Sequence, residues 1–153
     1  MRFFLFLIIF LLNYSLYAQS IPRYVSLKSE QANLRVGPSK DYPIILQYTY
    51  PTMPLKVIGE YEKWRKVIDI EKNEGWIFVN LLSSKRFGII NPKENSIKVF
   101  KKPNDKIIGE IGKGNIVKLN KCMNNWCKIK IQSYNGWVKS KFIWGVFDNE
   151  NFK

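Results

Sequence analysis

The stretch EGWIFVNLL, Glu74–Leu82, has a counterpart 61 positions further along the chain in NGWVKSKFI, Asn135–Ile143. Each contains Gly-Trp followed by a β-branched residue, and each ends on an apolar residue. Such a repetition indicates either a structural unit that occurs twice or a pair of tryptophan ligand sites. A glycine before a tryptophan allows another backbone to approach closely. We therefore expect Trp76 and Trp137 to close two cores, with ligand contact as the alternative.

Other landmarks recur at nearly the same spacing. EKWRKV, which contains Trp64, corresponds to NNWCKI, which contains Trp126. Upstream, ANLRVGPSKDYPII from Ala32 corresponds to NSIKVFKKPNDKII from Asn95, and each has a central proline and a terminal Ile-Ile. The repeat is long for a solenoid unit and fits a small domain that is present twice.

Both halves show short runs in which apolar and polar residues alternate, which predicts half-buried strands. Clusters of Gly, Pro, Asn and Asp separate these runs, and no segment has a helical period long enough for an α-helix. VNLL and SKFI each predict one 3₁₀ turn. A small barrel is the expected architecture, because closure removes exposed strand edges. The predicted strands are Asn33–Val36, Leu55–Val57, Lys66–Ile70, Gly75–Phe78, Ser96–Val99, Asn115–Asn120, Lys128–Ile131 and Gly136–Lys139.

ANLRVGPSKDYPII, then a hairpin that ends in WRKV, then EGWIFVNLL, resembles the bacterial SH3 domain. From about Arg23 to Phe147 the chain is further similar to exported proteins of alphaproteobacterial type with tandem SH3-like domains. The second repeat departs from the pattern, since no glycine follows Lys98, which aligns with Arg35. We predict an all-β chain with SH3-like barrels at residues 23–85 and 86–147 and a tail at 148–153. The resemblance implies a non-catalytic binding module of the cell envelope that recognises peptidoglycan or a partner protein.

The N-terminal segment MRFFLFLIIFLLNYSLYAQS has the layout of a secretory signal peptide, with one arginine, an apolar run and a small residue before the cleavage point. The apolar run Phe3–Leu12 is shorter than the roughly 20 residues that span a bilayer. We predict a signal peptide at residues 1–18, cleavage after Ala18 and a mature protein in the periplasm or outside the cell. An uncleaved N-terminal anchor is the alternative. No transmembrane segment is expected in the mature chain.

The formal net charge is +13, and it is unevenly distributed. Residues 19–85 contain ten basic and seven acidic side chains, whereas residues 86–145 contain thirteen basic and three acidic ones. A basic half attracts anionic polymers such as lipid headgroups or lipopolysaccharide. Export argues against nucleic acid as the partner. The alternative is compositional bias, because an AT-rich genome also enriches Lys, Asn and Ile.

Catalytic motifs are missing from the sequence. The chain has no histidine, so the commonest acid–base group and metal ligand is absent. No nucleophile elbow, phosphate-binding loop or dinucleotide fingerprint occurs. Glu60 and Glu62 lie two positions apart, but a solvated hairpin face explains them better than paired catalytic carboxylates do. We expect neither enzymatic activity nor a cofactor or metal.

The two cysteines lie in the stretch CMNNWC, in which Asn124-Asn125 is a natural two-residue turn because Asn tolerates positive φ. That turn places Cys122 opposite Cys127. An even number of cysteines in an exported chain favours a disulfide. We predict a structural disulfide within one hairpin, with a redox-active pair as the alternative.

Trp64 lies between Lys63 and Arg65, and Trp126 lies two residues before Lys128. Both are at predicted hairpin ends, where a core ring is unexpected. We predict them as ligand-binding residues, with Tyr42 and Tyr48 as candidates for the facing wall. Aromatic walls suit sugar rings and extended peptides. The alternative is a rim that covers the core. Adhesion to anionic lipid or lipopolysaccharide through the second barrel, and targeting of a separate wall hydrolase, are the alternative functions.

Overall fold

The computed structural model describes residues 20–153, so the predicted signal peptide lies outside the described residues. Within that range the chain consists of β-strands, loops and two 3₁₀ turns, Val79–Leu81 and Ser140–Phe142, at the two predicted positions. None of its helical segments is long and apolar enough to cross a membrane.

Fourteen strands occur, seven in each half of the described chain. The first seven are β1 Arg23–Leu27, β2 Ala32–Arg35, β3 Ile44–Tyr48, β4 Pro54–Tyr61, β5 Trp64–Ile68, β6 Glu74–Phe78 and β7 Leu82–Ser83. The second seven are β8 Phe87–Ile90, β9 Ser96–Phe100, β10 Ile107–Gly112, β11 Ile116–Met123, β12 Trp126–Ile131, β13 Tyr134–Lys139 and β14 Ile143–Trp144.

The two halves have the same topology. The strand order is β3-β2-β6-β5-β4-β1-β7 in the first sheet and β10-β9-β13-β12-β11-β8-β14 in the second, so each strand has a counterpart in the other half. Every strand pair is antiparallel. The predicted all-β chain with two tandem units is confirmed.

Each sheet curls around its own core, because alternate residues along the strands point inward. The most deeply buried side chains are aliphatic, and burial of each stabilises the fold by roughly 1.5–3 kcal/mol. The first core contains Val25, Leu27, Ala32, Leu34, Tyr48, Leu55, Val57, Val67 and Ile77. The second contains Ile90, Ile97, Ile111, Val117, Leu119, Cys122, Cys127, Ile129, Val138 and Ile143. That each barrel folds alone, with the boundary after residue 85, stays a prediction.

The glycine of each Gly-Trp pair lies where a neighbouring strand leaves no room for a side chain. A Cβ on Gly75 would lie 2.7 Å from the carbonyl oxygen of Arg35 and 2.8 Å from Leu34 Cγ. In the second half a Cβ on Gly136 would collide with the Val99 side chain. The expected role of the glycine, to admit a neighbouring backbone, is confirmed at Gly75, whereas at Gly136 the glycine mainly leaves room for a neighbouring side chain.

The strand register corrects the sequence alignment of the two halves. Arg35 pairs with Trp76, whereas the residue that pairs with Trp137 is Phe100, not Lys98. Arg35 and Phe100 are therefore the equivalent positions, two residues away from the alignment that the sequence suggested. The alignment was wrong because it matched local sequence patterns, whereas the pairing with the Gly-Trp strand determines structural equivalence.

The two cysteines form the predicted disulfide in the hairpin between β11 and β12. Cys122 and Cys127 are joined, with their Cα atoms 4.1 Å apart. They face each other in the strand register, as do Met123 and Trp126. Asn124 and Asn125 both have positive φ, at 50° and 65°, as a tight two-residue turn requires. Both cysteine side chains also belong to the second core.

An aromatic contact joins the two barrels. Tyr24 of β1 is buried, and its ring centroid lies 5.3 Å from that of Trp144 and 4.7 Å from that of Phe147. The Lys56 amine lies 5.5 Å from the centre of the Tyr24 ring. The first barrel thus packs a buried tyrosine, from the face of β1 opposite to the core residues Val25 and Leu27, against the C-terminal part of the second barrel.

Residues 148–153, predicted as a tail, pack against the second barrel. Cys122 and Phe152 exchange two backbone hydrogen bonds, of 3.0 and 2.9 Å. Glu150 accepts hydrogen bonds of 2.7 and 3.0 Å from the two terminal nitrogens of Arg86. Arg86 also donates a 2.8 Å hydrogen bond to the carbonyl oxygen of Gly145. The C-terminal segment is therefore held by a bidentate ion pair next to the barrel junction.

We expect Glu150→Gln to lower the free energy of unfolding near neutral pH and to make that free energy depend less on pH in the acid range. Burial tends to raise the pKa of Glu150, but hydrogen bonds from Arg86 and the Phe147 amide outweigh it and hold the pKa below its ordinary value. Such a carboxylate stabilises the folded state above its unfolded pKa of about 4.3, and this contribution is lost as the pH falls through the lower folded pKa. After allowance for partial solvent exposure, the expected loss at pH 7 is about 1–2 kcal/mol.

Urea unfolding at pH 7 and at about pH 3 measures this difference. Glu110→Gln is the matched control, because Glu110 also pairs with a cation, Lys98, but is exposed on an edge strand. Equal stability losses for the two variants at pH 7 would contradict the role assigned to the Arg86 pair.

Candidate functional site

A cleft of about 370 Å³ opens on the first barrel, and we call it the first-barrel cleft. It lies where β2, β3, β5 and β6 meet the 3₁₀ turn that follows β6. Its lining combines three apolar side chains, three side-chain amides and two cations: Trp64, Phe78, Leu81, Gln31, Asn33, Gln47, Arg35 and Lys40.

Trp64 lines this cleft, but it is not the exposed wall that the sequence predicted. The residue is 9% exposed, and its ring meets Phe78 edge-on with the centroids 5.5 Å apart. Charged neighbours suggested exposure, but adjacent residues of a strand point to opposite faces. Arg65 accordingly pairs with Glu60, at 3.3 Å, on the other face. The predicted exposure of Trp64 was wrong, whereas its role as a ligand-contacting residue stays a prediction.

Trp126 is buried in the same way in the second barrel. It is 7% exposed, its ring centroid lies 5.1 Å from that of Phe100, and the Lys139 amine lies 5.7 Å from the ring. The predicted exposure of Trp126 was therefore wrong, whereas its role as a ligand-binding residue stays a prediction. Its place at the start of β12, paired with Met123 and Lys139, turns the ring towards other side chains.

Tyr48 is a buried residue of the first core and is not exposed as the sequence suggested. Its hydroxyl donates a 2.9 Å hydrogen bond to Oδ2 of the buried Asp69. Asp69 also accepts hydrogen bonds from the backbone and side-chain nitrogens of Asn73, both of 2.9 Å. Burial, reinforced by Asp69, raises the pKa of Tyr48 far above its ordinary value. The expected exposure of Tyr48 was wrong, because the ring is buried and its hydroxyl is bonded to Asp69, whereas its role as a ligand-binding residue stays a prediction.

Tyr42 is 45% exposed, yet it covers its own loop and does not line the cleft. A Cβ on Gly37 would lie 2.6 Å from ring atoms of Tyr42, so only glycine allows the ring to lie there. Arg35 holds this loop by donating hydrogen bonds to the carbonyl oxygens of Lys40, at 3.1 Å, and of Tyr42, at 2.8 Å. Asp41 of the same loop accepts a hydrogen bond from the Ser39 hydroxyl.

Sequence reasoning missed the polar wall of the first-barrel cleft. Asn33 and Gln47 face each other across β2 and β3, and the Gln47 amide donates a 2.9 Å hydrogen bond to Asn33. Asn33 lies at an outward position of β2, between the buried Ala32 and Leu34, and this alternation was a usable signal. No carboxylate occurs in the lining. The cleft is chemically suited to a ligand that carries a carboxylate, peptide groups and a small apolar face.

The tryptophans of the two Gly-Trp pairs occupy outward positions of their strands. Trp76 is half-buried between the buried Gly75 and Ile77, and Trp137 lies likewise between Gly136 and Val138. The expectation that these rings close the cores was therefore wrong. The inward glycine and the residue after the tryptophan do so instead.

Around Trp137 lies a basic surface, which we call the lysine face. A cleft of about 560 Å³ there is lined by Lys101, Lys102, Lys121 and Lys128 together with Trp137. Lys121 and Lys128 are directly opposed in the strand register. The equivalent pair in the first barrel is Gly59 and Lys66, and Lys66 forms a 2.5 Å ion pair with Glu74. Asn135 replaces Glu74 before the second Gly-Trp, so the lysine face lacks this acidic partner.

No group of three or more His, Cys, Asp or Glu side chains that could hold a metal occurs within residues 20–153.

Several solved structures resemble this chain at low identity. NlpC2 from Trichomonas vaginalis is 11% identical, with a TM-score of 0.37 over 80% of this chain and 48% of that chain. NlpC1 from the same organism is 10% identical, with a TM-score of 0.36 over 82% and 46%. An NlpC/P60 family protein from Bacillus cereus is also 10% identical, with a TM-score of 0.36 over 78% and 55%. The chain thus spans about half the length of these proteins.

A search of curated proteins found no match. A family model described as bacterial SH3 domain matches twice, at residues 28–84 and 94–145, which together make up most of the sequence. The matches correspond to the two sheets of the structure. The chain therefore belongs to the bacterial SH3 domain family.

Proposed function

We propose that this chain is an exported, non-catalytic binding module of the cell envelope, and that its first-barrel cleft binds the peptide stem of peptidoglycan or a similar extended peptide. The observation that carries the proposal is the composition of the cleft. An aromatic floor, two cations and three side-chain amides converge there without a carboxylate. A volume of about 370 Å³ is in the range of small-ligand sites.

Each part of the cleft suits one part of a stem peptide. Trp64, Phe78 and Leu81 offer an apolar floor to alanine-sized side chains or to the face of a sugar ring. Lys40 and Arg35 offer cationic donors to a carboxylate, and such charge-assisted hydrogen bonds are stronger than neutral ones. The side-chain amides can donate to peptide carbonyls and accept from peptide N–H groups.

Export and the absence of catalysis are parts of the same proposal. The Cys122–Cys127 disulfide supports export, because disulfides persist in oxidising compartments such as the periplasm. The sequence has no histidine, which supports binding without acid–base catalysis.

Lys40→Gln is expected to weaken binding to purified peptidoglycan sacculi by about two- to fivefold at physiological salt. The reason is the loss of one solvent-exposed ionic contact with a ligand carboxylate, worth about 0.5–1 kcal/mol. Cosedimentation with sacculi and calorimetry with a soluble stem peptide measure the change. Melting temperature checks that the fold is retained.

Lys63→Gln is the matched control, because it removes the same charge from an exposed position of the same barrel outside the cleft lining. If Lys63→Gln weakens binding as much as Lys40→Gln does, net charge drives the binding and the cleft is not the site.

A second candidate function is adhesion of the lysine face to an anionic lipid surface. The supporting observation is the pairing of like charges across β11 and β12, with Lys121 opposite Lys128 and Lys118 opposite Lys130. Like charges in directly opposed positions destabilise a sheet. A surface that keeps opposed lysines despite this destabilisation suits a polyanionic partner, which would neutralise their charges.

We expect Lys128→Gln to weaken binding to phosphatidylglycerol vesicles by about fivefold at low salt, since each lysine near an anionic membrane contributes about 1 kcal/mol. The same change is expected to stabilise the fold by a few tenths of a kcal/mol, because it removes repulsion with Lys121. Vesicle flotation over a salt series and urea unfolding measure the two effects.

Lys66→Gln in the first barrel is the control at the equivalent register position, where the lysine is paired with Glu74. It should not stabilise the fold and should affect vesicle binding less. An equal loss of vesicle binding in both variants would contradict a localised lysine face.

A further inference from the structure

The two barrels differ at one pair of equivalent positions between the edge strand and its neighbour. In the first barrel Leu34 of β2 faces Leu46 of β3. The strand register makes Val99 of β9 and Gly109 of β10 the corresponding pair in the second barrel. Two leucines are thus replaced by a valine and a glycine, which removes most of the side-chain volume from this place.

The missing volume is an open apolar space, which we call the Gly109 pocket. It measures about 310 Å³, and a Cβ on Gly109 would have no other heavy atom within 4 Å. Most of its lining is aliphatic or aromatic: Val99, Ile108, Ile111, Ile129, Ile131 and Tyr134. The side chains at its rim are unusually open for apolar residues, with Ile108 49% and Tyr134 72% exposed.

A second change makes the pocket apolar. Ile111 stands at the register position of Tyr48. Ile131 corresponds to Asp69, because each follows directly after an equivalent residue, Lys130 opposite Asn135 and Ile68 opposite Glu74. Tyr48 and Asp69 are hydrogen-bonded to each other in the first barrel. Both isoleucines line the Gly109 pocket. The second barrel therefore lacks both the buried polar pair and the two leucines of the first barrel. An apolar group is the chemically matched occupant of the Gly109 pocket.

The pocket adjoins an open strand edge. Among the strands of residues 20–153, β10 lies at the end of its sheet and has β9 as its neighbour. An edge strand presents backbone N–H and C=O groups to an incoming strand. Side chains that are directly opposed across neighbouring strands share a face of the sheet. A residue that pairs with Gly109 from outside would therefore project its side chain on the face occupied by Val99, which lines the pocket.

Charge and direction define the partner further. All strand pairs in both sheets are antiparallel, so an added strand in the same sense ends beside the start of β10. The exposed Lys101, Lys102 and Lys106 lie in the loop that precedes that strand. An acidic residue near the C-terminal end of the added segment is complementary to these lysines.

We propose that the second barrel binds an extended segment of a partner protein, which adds to the edge of β10 and inserts an apolar side chain into the Gly109 pocket. In such strand addition the main chain provides affinity and the pocket provides specificity. This site is separate from the first-barrel cleft, and it borders the lysine face, with which it shares Lys101 and Lys102. The partner segment alternates apolar and polar residues and carries an acidic residue towards its C-terminal end.

The probe is a capped peptide that alternates leucine with threonine and ends in glutamate, titrated into the full ¹⁵N-labelled chain. We expect chemical-shift changes in β10 and around Tyr134. Gly109→Leu should weaken binding at least tenfold, because the new side chain fills the pocket as a bound leucine would. It should leave the melting temperature unchanged or higher, since Leu46 occupies the equivalent position without strain.

Peptide variants separate strand addition from simple apolar capture. Replacing the leucines with alanine should weaken binding at least tenfold, and methylating alternate backbone amides on the edge that faces β10 should do the same. A methylated peptide that binds as tightly as the parent overturns strand addition.

Tyr134→Ala provides a second protein variant at an exposed position, with Tyr50→Ala, an exposed tyrosine of the first barrel, as its control. Tyr134→Ala should weaken binding at least threefold and Tyr50→Ala should not. Unchanged binding in both Gly109→Leu and Tyr134→Ala, or no binding at millimolar peptide, overturns the proposal. Concentration-dependent dimerisation that Gly109→Leu abolishes would assign the site to a second copy of this chain and overturn the choice of partner.

Discussion

The close approach of two strands at Gly75, and again at Gly136, is the constraint on which each barrel depends. At these positions the neighbouring strand passes so near that no side chain fits between them. The contact fixes the pairing of Arg35 with Trp76 and of Phe100 with Trp137. Because side chains alternate along a strand, a fixed register determines which residues face the core and which face solvent.

This constraint explains why the sequence repeats Gly-Trp. It also explains why the role predicted for the glycine was confirmed while the core role predicted for the tryptophan was wrong. The glycine requirement, the all-β fold, the two units and the hairpin disulfide could be predicted, because each rests on residues that are near one another in sequence. The burial of Trp64 could not be predicted from the sequence. Trp64 pairs with Phe78 of β6, and the contact between the two rings covers it. Phe78 lies 14 positions further along the chain, so the residues around Trp64 in the sequence do not reveal this contact.

Tyr48 shows the same limit in chemical terms. An isolated tyrosine near a loop is a reasonable ligand-contacting residue until its partner is known. Its partner Asp69 lies 21 residues away, and the aspartate is itself held by Asn73. The polar wall of the first-barrel cleft was missed for the related reason that its members come from separate strands. Amides such as Asn33 and Gln47 carry no distinctive motif, and only the barrel brings them together.

Two copies of one framework have acquired different surfaces through a few substitutions at equivalent positions. Where the first barrel has Lys66 balanced by Glu74, the second has an unbalanced lysine pair, and where the first has two leucines, the second has a pocket. The fold is the same in both, so function is determined by the residues placed on it.

The junction between the barrels gives these surfaces a defined relation to one another. β7 ends at Ser83 and β8 begins at Phe87, so the connection is short. The backbone carbonyl of Lys85 in that connection accepts a 2.8 Å hydrogen bond from the Ser26 hydroxyl, and Tyr24 packs against Trp144 and Phe147. Arg86 extends the same contact to Glu150. A long flexible linker would lower the effective concentration of the second site. Two sites at a fixed separation require no further ordering once the first is occupied. Under the functions proposed above, the first-barrel cleft and the second barrel would therefore bind at a fixed separation, and weak contacts at each would add to one attachment.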